Sequence, residues 1–129
     1  MESDKVRRWK ERSEYDLETA EVMHAAGRYI YSVFMCQQAI EKCFKALLAY
    51  NNDEVLPIHN LRRLAELSGV VGELDEDKLR KLDFLSRYYI NARYKEDIAD
   101  LSKGITEELS KSFIDFTKET IQWLLQKIK

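Results

Sequence analysis

The stretch Cys36-Gln37-Gln38-Ala39-Ile40-Glu41-Lys42 decides how this chain is read, because it sets polar groups where an ordinary helix carries apolar ones. Wound at about 100° per residue, residues 28–50 bring Ile30, Val33, Phe34, Ile40, Phe44, Leu47 and Leu48 onto one broad face. Gln37 and Glu41 fall in the middle of that face, one turn apart, with Phe34 and Phe44 beside them. Both side chains therefore point toward a core or a cleft. A carboxylate there needs a cation or several donors, because burying it unpaired is strongly destabilising. Gln38, Lys42 and Lys45 run down one flank of the same helix.

Outward from this helix, composition sets the class. Four glycines and one proline in 129 residues, against many Leu, Lys, Glu and Ala, favour long helices and leave little for β-hairpins. The length suits one domain over residues 1–129, with one core. No apolar run approaches the roughly 20 residues of a membrane helix, and Met1-Glu2-Ser3-Asp4-Lys5 lacks the apolar core of a signal peptide. A soluble, cytosolic protein is the expectation. Cys36 and Cys43, seven residues apart on one helix and in no CxxC, read as buried reduced thiols. With a net charge of −2, nothing draws the whole chain onto a polyanion, so nucleic-acid contact would have to be local, as at Arg7, Arg8, Lys10 and Arg12.

Along the chain, Ser3 and Asp4 cap a first helix running to about Ala26 and ended by Gly27. Its inward stripe carries Trp9, Ala20, Met23 and a second acid, Asp16, about 20° from Trp9 on the helical wheel. The tight turn that follows folds the second helix back antiparallel. Asn51 and Asn52 stop that helix, Pro57 stiffens the exit, and His59-Asn60-Leu61 opens a short third helix through Leu67. A fourth, from about Asp75 to Ala92, turns Leu79, Leu82, Leu85, Tyr88 and Tyr89 inward and is followed by Arg93, the expected partner of the inward acids. Lys95 to Gly104 reads as a loop. Thr106 starts the last helix, with Leu109, Phe113, Phe116, Ile121, Leu124 and Ile128 on one face. The expected fold is an all-α, antiparallel four-helix up-and-down bundle with a short additional helix.

Few motifs carry chemistry. Glu21-Val22-Met23-His24 has the Glu-x-x-His spacing of di-iron bundles, but a second such motif is missing, so neither metal nor cofactor is expected. Phosphate loops and nucleophile elbows are absent too. His59 reads as a helix cap bordering the candidate cleft. Tyr88, Tyr89 and Tyr94 read either as packing residues, Tyr88 more so than the other two, or as platforms for a nucleobase, with Arg93 pairing a phosphate.

Tyr15-Asp16-Leu17 with Ala20, the Gln-Gln-Ala-x-Glu-Lys run with Lys45-Ala46, His59-Asn60-Leu61, and Tyr89 with Arg93-Tyr94 together resemble the HEPN domain family over nearly the whole chain. The resemblance implies a helical bundle, a homodimer, a link to nucleotides and, for small stand-alone members, partnership with a minimal nucleotidyltransferase in a two-component or toxin–antitoxin system. The chain departs from ribonuclease members, whose Arg-x(4–6)-His motif it lacks, and has Lys95 where the stand-alone branch often has Pro. Three functions follow: a non-catalytic partner that binds a nucleotide or nucleotide-bearing substrate, a degenerate ribonuclease toxin, or a structural dimerisation bundle. The expected ligand-binding residues are Asp16, Gln37, Glu41, Lys42, Lys45, His59, Tyr89, Arg93 and Tyr94, with no catalytic residue assigned. Tyr29, Tyr31, Met35 and Trp123 exceed what one core needs, which also points to a homodimer.

Overall fold

The computed structural model describes residues 3–94, 100 and 102–129, with the side chains of residues 90–94 outside the description. The expected loop at residues 95–104 lies partly outside the described residues, and where it is described residues 100 and 102 are helical rather than loop; the side chains of Arg93 and Tyr94 are outside the description as well.

Five helices carry the described fold: α1 Asp4–Ala25, α2 Tyr29–Tyr50, α3 Leu61–Leu67, α4 Glu76–Tyr94 and α5 Glu107–Leu125. A 3-10 turn, Val71–Glu73, stands between α3 and α4. Local chemistry sets the helix starts. Ser3 accepts from the Val6 N–H, Asn60 from Arg63, Asp75 from Lys78 and Thr106 from Leu109, each satisfying an amide that the first turn leaves without a partner. Gly27 follows α1 at φ 77°, a left-handed geometry that glycine adopts without penalty, and so allows the chain to reverse into α2.

The bundle is built around α2, which packs against α1, α3, α4 and α5. Every residue from Cys36 to Ala49 is buried apart from the partly exposed Gln38. The sequence places one apolar face here. Instead, a helix enclosed on all sides is found, which takes its flank inside as well. Lys42 and Lys45, expected on a rim, are 8% and 5% exposed. Phe44, Ile40 and Leu48 fill the centre with Leu61, Leu64, Leu82, Leu85 and Leu124 from the surrounding helices. Serines fasten α1 to α2: Ser13 Oγ donates to the Ala39 carbonyl and Ser32 Oγ to the Ala20 carbonyl, both at 2.7 Å. Cys36 and Cys43 are free and buried, as expected. Among the described residues, no helix is long and apolar enough to cross a membrane.

Candidate functional site

The expectation that Gln37 and Glu41 point inward holds: they are 0% and 1% exposed. What surrounds Glu41 is a complete set of donors. Lys45, one turn on, reaches Oε2 at 2.9 Å, while Gln37 Nε2 and His59 Nδ1 meet Oε1 at 3.0 and 2.9 Å. Burial alone would raise the Glu41 pKa, but the hydrogen bonds from Lys45, Gln37 and His59 outweigh it and hold the carboxyl below its ordinary range. The carboxylate is therefore the acceptor, and His59 Nδ1 carries the hydrogen. Gln37 also donates to the His59 carbonyl at 2.9 Å, tying the loop before α3 to α2.

The expected partner of these acids was Arg93, whose side chain lies outside the described residues. Among the described residues, Lys45 and His59 serve Glu41 instead, with Lys42 further off at 3.8 Å. The i,i+4 spacing of Glu41 and Lys45 is the signal that could have revealed this. His59, expected to cap α3, does not do so; Asn60 does, and His59 stands one residue earlier with its ring on Glu41.

Hydrogen bonds continue across α2. Gln38 Nε2 donates to Gln37 Oε1 at 2.6 Å, and Lys42 Nζ donates to Gln38 Oε1 at 3.0 Å. The chain Lys42, Gln38, Gln37, Glu41, His59 thus runs through the helix between two surface hollows.

The first hollow, about 630 Å³, opens between α1 and α2 and is lined by Arg8, Glu11, Arg12, Tyr15, Asp16, Gln38 and Lys42. Asp16 belongs here and does not hydrogen-bond to Glu41; Lys42 is the cation near both acids. Burial raises the Asp16 pKa, against the pull of Lys42 and Arg12. Burial likewise lowers the Lys42 pKa, despite the nearby charges of Glu41 and Asp16. Tyr15 is 70% exposed. In the sequence Arg8 and Arg12 stand out only as part of a basic cluster, although residues 8, 12 and 15 form a helical stripe on α1.

The second hollow, about 300 Å³, lies beside α3 and is lined by His59, Asn60, Asp83, Ser86, Arg87 and Tyr89. Tyr89 is buried at 3%, with its ring stacked on Phe34 at 5.5 Å and on His59 at 4.4 Å. With its ring buried and already stacked on these two side chains, Tyr89 is no platform for a base. It is also better buried than Tyr88, the reverse of the expected order.

The nine expected residues thus separate. Gln37, Glu41 and Lys45 form the buried network, Asp16 and Lys42 belong to the first hollow, and His59 and Tyr89 border the second. Arg93 and Tyr94 stay outside the described side chains. No group of three or more metal-ligating side chains is found among the described residues. His24 of the Glu-x-x-His motif is bonded to Ser110 Oγ at 2.8 Å.

An all-helical bundle whose central helix carries an internal charged network defines the class of protein. The HEPN domain model matches residues 6–128, and the chain belongs to the HEPN family. The chain is similar to the crystal structure of ST0689, an archaeal HEPN homologue, at 26% identity and TM-score 0.77, covering 98% of this chain and 100% of that one. It is also similar in fold to TT1696 from Thermus thermophilus, at 20% identity and TM-score 0.80, covering 97% and 99%. No curated protein sequence matches it significantly.

Proposed function

We propose that this HEPN chain is a nucleotide-binding partner of a minimal nucleotidyltransferase, acting as a homodimer in a two-component, toxin–antitoxin-like system, and that the nucleotide sits in the first hollow. The observation that carries the ligand reading is the charge of that hollow. Arg8, Arg12 and Lys42 line it together with Glu11 and Asp16, and Glu11 is already paired with Arg7 at 2.9 Å. Lys42 is a buried ammonium that donates to Gln38 and has Glu41 Oε2 at 3.8 Å, and a phosphate in the hollow adds charge-assisted acceptors for it. Tyr15 offers an aromatic face and Gln38 an amide edge, the complements of a base. The volume lies within the range of small-molecule sites, roughly 300–1,000 Å³. The transferase partnership rests on family membership and on the resemblance to small stand-alone members.

Calorimetric titration of ATP, ADP and AMP tests the ligand, with Arg12→Ala and Lys42→Met expected to weaken binding and Lys118→Ala, beside Glu21 on another face, to leave it unchanged. Absence of saturable binding at millimolar nucleotide overturns the ligand reading. A monomer by light scattering overturns the homodimer.

A further inference from the structure

The second hollow contains two groups that the fold leaves uncommitted. His59 is engaged at one ring nitrogen: Nδ1–H donates to Glu41, Nε2 has no hydrogen bond among the described residues, and 43% of the side chain is exposed. Arg87, on α4, lines the same hollow, is exposed and forms no ion pair among the described residues. The other polar walls are occupied. Asp83 is held by the Arg62 guanidinium through two bonds of 3.0 and 2.7 Å, which offset its charge. Ser86 Oγ accepts from the Leu61 N–H and donates to the Leu82 carbonyl. Asn60 Oδ1 accepts from Arg63, leaving its amide NH2 able to donate.

We propose that this hollow binds the dianionic phosphate of a phosphomonoester between the Arg87 guanidinium and the protonated Nε2–H of His59. The charges support that class of ligand. Glu41 is matched by Lys45 and Asp83 by Arg62, so neither carboxylate opposes an anion in the hollow, and in the proposed complex the imidazolium stands with Arg87 against two negative charges. Tyr89, 4.4 Å from the imidazole and inclined to it by only 27°, supports that cation with its ring face. Glu41 fixes the ring through Nδ1, so Nε2 is presented to the hollow in one orientation. No nucleotide in the first hollow is required.

The test uses sulfate, a tetrahedral dianion that does not titrate near neutrality, followed through the imidazole nitrogen resonances by NMR. The chain has two histidines, so His24, bonded to Ser110, is the internal control. Sulfate is expected to shift the His59 resonances saturably and to bind more weakly as the pH is raised, with His24 unmoved. Arg87→Gln, a change at an exposed position, is expected to weaken sulfate about ten-fold, and chloride at matched ionic strength to give no saturable shift. Displacement of sulfate by AMP or by glycerol phosphate supports the site, and the tighter ester shows whether a nucleotide or another phosphomonoester is preferred. A response of His59 that is no different in chloride, that survives Arg87→Gln, or that neither ester displaces overturns the proposal.

Discussion

Lys45 and Glu41 hold one another at 2.9 Å on successive turns of α2, where their side chains are 6% and 2% exposed. Neither charge reaches bulk water, so each depends on the other. Lys45→Ala leaves the carboxylate with Gln37, His59 and the more distant Lys42 at 3.8 Å, and truncating one member of a buried pair costs about 3–5 kcal/mol. The Glu41→Leu/Lys45→Met double replacement, which removes both charges and keeps apolar volume, is expected to cost far less. Urea unfolding of the native chain and these two variants checks the order.

Acid sensitivity follows from the same carboxylate. Burial pushes the Glu41 pKa up, but hydrogen bonds from Lys45, Gln37 and His59 bring it below its ordinary value of 4.5. The folded chain then binds fewer protons at this site than the unfolded chain does, so the contribution is fully present above about pH 5 and is lost as pH falls through 4.5 toward the folded value. Urea midpoints measured from pH 7 to pH 3 should fall more steeply in the native chain than in Glu41→Gln.

Asp16 has the opposite sign. Burial raises its pKa above 3.8, so ionisation costs the folded state something that the unfolded chain does not bear, and that cost sets in as pH rises through 3.8. Asp16→Asn is expected to stabilise the chain at pH 7 and to leave it unchanged near pH 3. The carboxyl is only half-buried, so the gain should stay below about 1 kcal/mol. Equal stability of the two proteins at pH 7 would contradict this.

Burial raises the Cys36 and Cys43 thiols to about 12. At pH 8 neither provides thiolate, and neither is accessible. Ellman's reagent is expected to label no thiol rapidly in the native chain and two in urea; rapid native labelling would mean that α2 opens.

Asn60 caps α3 one residue after His59. Asn60→Ala is expected to cost about 1 kcal/mol, and Asn60→Asp, which keeps the accepting oxygen, much less. Thermal melts of the two variants separate loss of the cap from loss of the side chain.

How far the sequence is legible depends on the kind of contact. Helix ends at Ser3, Gly27 and Thr106 are local events and are legible in the sequence, as is the inward direction of Gln37 and Glu41, whereas the cap of α3 falls on Asn60, one residue after the expected His59. Glu41's contact with His59 spans 18 residues through an irregular segment, and no periodicity predicts where such a segment returns. Lys45 was assigned to a flank because lysine is rarely buried; its depth depends on α2 being enclosed on every side, a property of the neighbouring helices. The hollow at Arg87 was not legible, since an exposed arginine on a charged helix carries no positional signal.

The two serine bonds between α1 and α2 bear on how the fold comes apart. Each replaces water at a carbonyl of the other helix, that of Ala39 midway along α2 and that of Ala20 in the last third of α1, and both alanines are fully buried. Fraying of α1 alone would strand the Ser32 hydroxyl and the Ala39 carbonyl inside the bundle, so the middle of the hairpin has no inexpensive partial opening. In hydrogen–deuterium exchange, the central amides of both helices should share one opening free energy, and residues 3–50 should unfold as one cooperative unit.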